Sequence, residues 1–258
     1  ESTMLKPLLA GNWKMNGTLL EAIDLAEHLV AELGEQTDTD VLVFPPFPHL
    51  FPVRNILSES TIGLGAQNLY FQEGGPFTGE VSPKMVAELC EWVIIGHSER
   101  RHQFGETNHE VHQKFHAALA AQLTPILCVG ETLEQREAGE QNNVVENQIR
   151  SALNGITKPS KMAVAYEPVW AIGTGVSATA EIADQIISGP IAQTLNALLG
   201  DTLASTIPLL YGGSVSPSNI VQFMELPTIH GALIGGSSLK PAEFTEIVHL
   251  TAKVKLGK

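Results

Sequence analysis

Eight short apolar runs, each separated from the next by a stretch of helical period, constrain the fold of this chain most. They occupy residues 8–10, 41–44, 62–66, 92–95, 125–129, 162–166, 207–211 and 231–234. The runs are near-continuous and rich in β-branched residues, as strands buried on both faces are. Between them, Leu19, Ala22, Ile23, Ala26, Leu29, Val30 and Leu33 mark one helical stripe. Ile182, Ile186, Ile187, Ile191, Leu195, Leu198 and Leu199 mark another. Ser82-Pro83 and Ser216-Pro217 each set a capping hydroxyl before a proline at the first helical position. Thr179 and Asn108 read as caps of two further helices.

A strand–helix unit repeated eight times in 258 residues predicts an α/β fold, a (β/α)8 barrel of parallel strands with 1–258 as one domain. A doubly wound open sheet is the rival, and it asks for G-x-G-x-x-G after the first strand. Gly11-Asn12-Trp13-Lys14 is not that motif, and Gly173-Thr174-Gly175 does not complete one. No Pro/Gly/Ser-rich linker divides the chain. Glu1-Ser2-Thr3, ahead of Met4, reads as a remnant of a cloning leader. Asn68-Leu69-Tyr70-Phe71-Gln72 looks like an engineered protease site, but it lies mid-chain and reads as native loop.

Composition bounds the partners. With 43% hydrophobic and 17% charged residues the chain is globular. A net charge of −13 argues against nucleic acid, which needs clustered Lys and Arg. Any anion site must then be built locally. The two cysteines, Cys90 and Cys128, form no C-x-x-C pair and suit a reducing, cytoplasmic setting. No apolar run has the length of a membrane span, and the first residues show no charged-then-apolar signal pattern.

In such a barrel chemistry gathers where strands end. The polar residues found there are Asn12 and Lys14 after the first run, and His97, Ser98 and Glu99 after the fourth. Glu131 follows the fifth and Glu167 the sixth. Gly212-Gly213-Ser214 and Gly235-Gly236-Ser237-Ser238 close the last two. Glycines there make either tight turns or a phosphate cradle of open N–H groups with a helix N-terminus behind. Their joint position after the last two strands favours phosphate. Lys14 is one of few cations on this face. A histidine at a helix N-terminus stays neutral and can donate to a developing oxyanion, which suits His97.

Glu99, Glu131 and Glu167 all compete to be the base, or half of an ion pair near Arg100, Arg101 or Arg136. Glu167 ends a strongly apolar run, where loss of water would raise its pKa and basicity. Cys128, inside a strand, reads as core. His112 and His116 have the spacing of a zinc pair, but the remaining ligand and glutamate of that motif are missing. They read as a wet helix face.

Motifs in order along nearly the whole chain resemble the triosephosphate isomerase family. They are Gly11-Asn12-Trp13-Lys14-Met15-Asn16, Gly65-Ala66-Gln67-Asn68, Phe77-Thr78-Gly79-Glu80 and Ile95-Gly96-His97-Ser98-Glu99-Arg100-Arg101. Cys128-Val129-Gly130-Glu131-Thr132, AYEPVWAIGTG at 165–175, Tyr211-Gly212-Gly213-Ser214 and Gly235-Gly236-Ser237-Ser238-Leu239 complete the set. The resemblance implies interconversion of dihydroxyacetone phosphate and D-glyceraldehyde 3-phosphate through an enediolate, in glycolysis and gluconeogenesis, with no cofactor or metal.

It also implies roles. Glu167 is expected as base, neutral His97 as electrophile, Lys14 and Asn12 as substrate-binding groups, and Glu99 as the residue that orients them. Gly173, Ser214, Gly235 and Gly236 are expected to bind phosphate through N–H groups, with Ile172 and Leu233 as an apolar clamp. Glu131 is expected to hold Trp170 in an open lid. A homodimer is expected, with Thr78 reaching the partner's site. Where the family often has lysine in the lid's second hinge, this chain reads Val176-Ser177-Ala178. The alternatives are an epimerase-like sugar-phosphate barrel and a non-catalytic use of the same scaffold.

Overall fold

The parity of side chains along each strand decides what this fold can do. A computed structural model describes residues 5–159, 161–172 and 178–257. Eight strands run in chain order: β1 (Leu8–Asn12), β2 (Asp40–Phe44), β3 (Gly63–Ala66), β4 (Trp92–Ile95), β5 (Thr124–Val129), β6 (Ala163–Tyr166), β7 (Leu209–Tyr211) and β8 (Gly231–Ile234). All neighbours pair in parallel, and β8 pairs with β1, so the sheet closes into the expected (β/α)8 TIM barrel. Strand limits differ from the apolar runs by one or two residues. Asn12 and Thr124, for example, join strands although they are polar, because the ladder extends to them.

Successive strand residues face opposite sides. Leu8, Ala10, Leu42, Phe44, Ile94, Ile126, Cys128, Ala163, Ala165, Leu210 and Leu233 fill the barrel interior. Cys128 is core, as read. The alternate residues, such as Leu9, Val43, Val93, Leu127 and Val164, meet the helices in a second, larger core. Gly65 leaves room inside, since a Cβ there would lie 2.1 Å from the Phe44 ring. Following the inward parity to the end of β1 and past the ends of β6, β7 and β8 gives Asn12, Glu167, Gly212 and Gly235. The pleat that packs the interior therefore aims these four positions at one mouth.

Helix starts follow capping chemistry, with two corrections. Ser82 accepts from the Met85 N–H and Thr179 from the Ile182 N–H, as expected. The helix Asn108–Ala120 is capped by Thr107, not Asn108, in a reciprocal box with Glu110. The segment after Ser216-Pro217 first makes a turn held by Ser216 N–H donating to Asn219 Oδ1 at 2.8 Å. Its helix begins only at Ile220. The stripe from 182 to 199 is also not one straight helix. It widens over Ile187–Ile191, where Gly189 leaves helical geometry and Pro190 lacks an N–H.

Candidate active site

Glu167 lies 2% exposed at the mouth, and glycine makes its place. A Cβ on Gly212 would sit 2.9 Å from Glu167 Cγ, and one on Gly130 would sit 1.7 Å from its carbonyl oxygen. The Ser98 N–H donates to Glu167 Oε2 at 2.8 Å, and the Ser98 hydroxyl to Oε1 at 3.3 Å. His97 Nε2 stands 3.0 Å from Oε1.

His97 is itself the N-cap of the helix Ser98–Gln103, taking the Glu99 N–H on Nδ1 at 3.3 Å. An accepting Nδ1 leaves the ring proton on Nε2, directed at the carboxylate. Burial pulls the His97 imidazole down, but the charge and hydrogen bond of Glu167, with Glu99 behind them, together lift it above its ordinary value. For Glu167 burial pushes the carboxyl up. The facing His97 and the Ser98 N–H outweigh burial and hold it below the usual range. This corrects the expectation of a simply desolvated, raised carboxylate. In the resting arrangement its hydrogen-bond donors outweigh burial.

Lys14 reaches into the same mouth in a left-handed backbone conformation, φ +54°. For a lysine that costs about 1–3 kcal/mol and needs a scaffold to hold it. Its N–H donates to Asn12 Oδ1 at 3.0 Å, and its carbonyl accepts from Gln67 Nε2 at 2.8 Å. Lys14 Nζ is 2.6 Å from Glu99 Oε1, and the other Glu99 oxygen is 3.6 Å from His97 Nδ1.

The three competing glutamates separate cleanly. Glu99 pairs with the site's lysine. Glu131, fully buried, accepts from Arg136, Tyr166 and Trp170 at 2.9–3.0 Å. Glu167 alone of the three meets His97 at Nε2. Arg100 turns to Glu106, and Arg101 to the Gly96 carbonyl and Asn108.

A cleft of about 370 Å³ opens above these groups, and its far wall is backbone. Gly235 packs against Lys14, whose Cε would lie 3.2 Å from a Cβ there. A Cβ on Gly236 would meet nothing within 4 Å, so no protein packing demands that glycine. Gly236 starts the one-turn helix Gly236–Leu239, whose first N–H groups make no helical bond. Gly213 has a different reason, since a Cβ there would lie 2.2 Å from the Tyr211 hydroxyl.

The helix N-terminus expected behind residues 212–214 is absent from that position, because the intervening turn delays the helix to Ile220. Ser214 lines the cleft with its hydroxyl on the Ala171 carbonyl at 3.1 Å. Ile172 and Leu233 line it as apolar walls. Gly173 and the hinge residues Val176 and Ser177 lie outside the described residues. Thr78 is exposed and is not among the residues lining this cleft.

Three contributors escaped the sequence reading. Ser98 holds Glu167, Gln67 holds the strained Lys14, and Lys240 adds a second cation to the rim. Lys240, directly after the glycine–serine cluster, was visible as a charge. The role of Ser98 depends on a backbone N–H and left no signal.

A parallel barrel whose strand ends bring a buried acid, an imidazole and a lysine beside an open backbone cradle is that of a phosphate-binding proton-transfer enzyme. The triosephosphate isomerase family profile matches residues 7–251. Among relatives named triosephosphate isomerase, that of Dehalococcoides mccartyi strain CBDB1 is 48% identical over 252 residues, covering 98% of this chain and 99% of the relative. That of Roseiflexus sp. strain RS-1 is 51% identical over 249 residues, covering 95% and 98%. That of Chloroflexus aurantiacus is 50% identical over 247 residues, covering 94% and 98%. The chain belongs to the triosephosphate isomerase family. It is an isomerase that interconverts dihydroxyacetone phosphate and D-glyceraldehyde 3-phosphate, a step of glycolysis.

Proposed function

We propose that Glu167 is the general base of this isomerisation and His97 its electrophile. The observation that carries the reading is the 3.0 Å contact of His97 Nε2 with Glu167 Oε1 at a cleft holding Lys14. When Glu167 leaves Ser98 and His97 for the substrate, it loses the donors that depress its pKa while burial persists. Its basicity rises as it reaches the carbon next to the carbonyl. It takes a proton from that carbon, and the electron pair forms the enediolate. The His97 Nε2–H donates to the oxygen that gains charge. His97 hands its Nε2 proton to that former carbonyl oxygen and takes the hydroxyl proton of the first carbon in exchange, while the protonated Glu167 returns its proton to the neighbouring carbon.

With Glu167 gone from the ring, nothing on that side favours imidazolium. The Glu99 N–H on Nδ1 keeps the imidazole neutral. Lys14 and Asn12 bind the substrate, Lys14 balancing the negative charge. Glu99 is a positioning residue, joining Lys14 to His97. Phosphate is read onto the N–H groups of Gly173, Ser214, Gly235 and Gly236, and the open face of Gly236 supports this. Ile172 and Leu233 keep water from the carboxylate. The chemistry asks for no cofactor or metal.

The same reading takes residues 1–258 as one domain acting in the cytoplasm, in gluconeogenesis as well as glycolysis. It also takes the chain as a homodimer, with the segment around Thr78 entering the partner's mouth. Met15 is 94% exposed beside Lys14, and Phe77 is exposed next to Thr78, and both want cover. The named relatives favour neither an epimerase nor a non-catalytic scaffold. A coupled isomerase assay on Glu167→Gln and His97→Gln, with circular dichroism for fold, tests the roles. Near-normal turnover in either sinks that assignment. Sedimentation tests the dimer.

A further inference from the structure

His112 and His116 sit one turn apart on the helix Asn108–Ala120, ring centroids 4.1 Å apart and planes tilted by 51°. The spacing alone means little. The fold adds orientation. His112 Nδ1 lies 3.0 Å from the Ser151 carbonyl oxygen, and His116 Nε2 lies 2.9 Å from that of Asn154. A carbonyl oxygen only accepts, so each of those nitrogens carries its ring's proton. In the neutral rings the other nitrogens, Nε2 of His112 and Nδ1 of His116, then hold bare lone pairs. Metal-binding imidazoles are built this way, one nitrogen anchored to a carbonyl and the other offered as ligand.

Both anchors belong to the helix Gln141–Ala152 and the turn after it. A second element therefore fixes the two rings before any ligand arrives, which lowers the ordering cost of binding. The rings are half-buried and line a cleft of about 690 Å³ with Phe71, Glu73 and Lys84, so ions reach them.

We propose that His112 and His116 form a two-imidazole site for a divalent transition metal ion, tighter for Cu2+ than for Zn2+, with water completing the shell. Among the described residues no group of three His, Cys, Asp or Glu could hold a metal. The site is therefore reversible and lies outside the catalytic mouth, whose cleft includes neither histidine. Lys84 in the same cleft opposes the cation and keeps affinity below that of a three-ligand site. Because the ion binds the folded arrangement, it stabilises that arrangement by mass action.

The test is a Cu2+ titration of the full chain followed by electron paramagnetic resonance. Wild type is expected to take up one equivalent with nitrogen coordination, and Zn2+ to compete for it. His112→Ala and His116→Ala are each expected to weaken binding by roughly tenfold or more. Wild type that binds no Cu2+, or variants that bind as wild type does, would overturn the proposal. If a variant does not fold, proton NMR of wild type decides. Substoichiometric Cu2+ must broaden the ring signals of His112 and His116 before those of the other seven of the nine histidines. Broadening that begins elsewhere contradicts the site.

Discussion

His97 and His230 are held by the same device and end in opposite electrostatic states. Each ring accepts a backbone N–H on Nδ1, from Glu99 at 3.3 Å and from Leu209 at 3.1 Å. They stand at opposite ends of the barrel, His97 buried after β4 and His230 half-buried just before β8. Burial lowers both. At the mouth, the Glu167 carboxylate reverses that and lifts His97. At the other end, the Lys255 ammonium adds to burial, and His230 falls to about 4. A pinned, half-buried histidine beside a cation is therefore a structural group by default. A facing carboxylate makes it one that handles protons at neutral pH.

Four experiments sharpen or break that contrast. Glu167→Gln keeps the side chain's shape and removes the base, so turnover is expected to fall about 10³–10⁴-fold while the melting temperature holds. Steady-state kinetics with calorimetry read both. His97→Gln keeps a donor but loses the imidazole, and a fall of about 10²–10³-fold is expected in kcat with a smaller change in KM. An equal loss on His230→Gln would break the contrast.

Gly236→Ala adds a methyl where no protein atom stands within 4 Å, so the fold is expected to be untouched. The KM for the phosphorylated substrate should rise by about tenfold, a cost of about 1.4 kcal/mol. An unchanged KM would remove Gly236 from the phosphate cradle.

The smallest effect is on stability. His230 titrates near 6.5 unfolded and about 4 folded, so between those values the unfolded chain binds more protons. Stability then rises with pH across that window and is lost as pH falls from 6.5 towards 4. His230→Asn, which retains an acceptor for the Leu209 N–H, should lessen this acid sensitivity by roughly 2–4 °C in melting temperature. Thermal melts at pH 7 and pH 5 compare the two proteins.

The barrel was legible because its strands are buried on both faces and its helices on one, so both periods stand out in the sequence. Boundaries were less so. Thr107 and Glu110 already spelled a capping box that Asn108 obscured, while the delayed start at Ile220 rests on Asn219 turning back to Ser216. The break at Gly189-Pro190 was hidden by an apolar stripe that continues through it.

At the mouth, position named the acid and imidazole only as candidates. The resemblance already paired Glu131 with Trp170, but the pairing of Glu99 with Lys14 and of Glu131 with Tyr166 needed three dimensions. The left-handed backbone of Lys14 and the hold of Ser98 on Glu167 had no sequence signal, because one rests on the Gln67 amide reaching the Lys14 carbonyl and the other on the Ser98 backbone N–H. The depressed resting pKa of Glu167 follows from the same contacts.

The central claim is that Glu167 itself moves the proton, and isotope exchange tests it most directly. In D2O, wild type should load deuterium onto the carbon of dihydroxyacetone phosphate that the base deprotonates, followed by NMR. Glu167→Gln should lose that exchange while still binding a phosphoglycolate-type inhibitor with near-normal affinity. Exchange at the wild-type rate in Glu167→Gln would contradict the account.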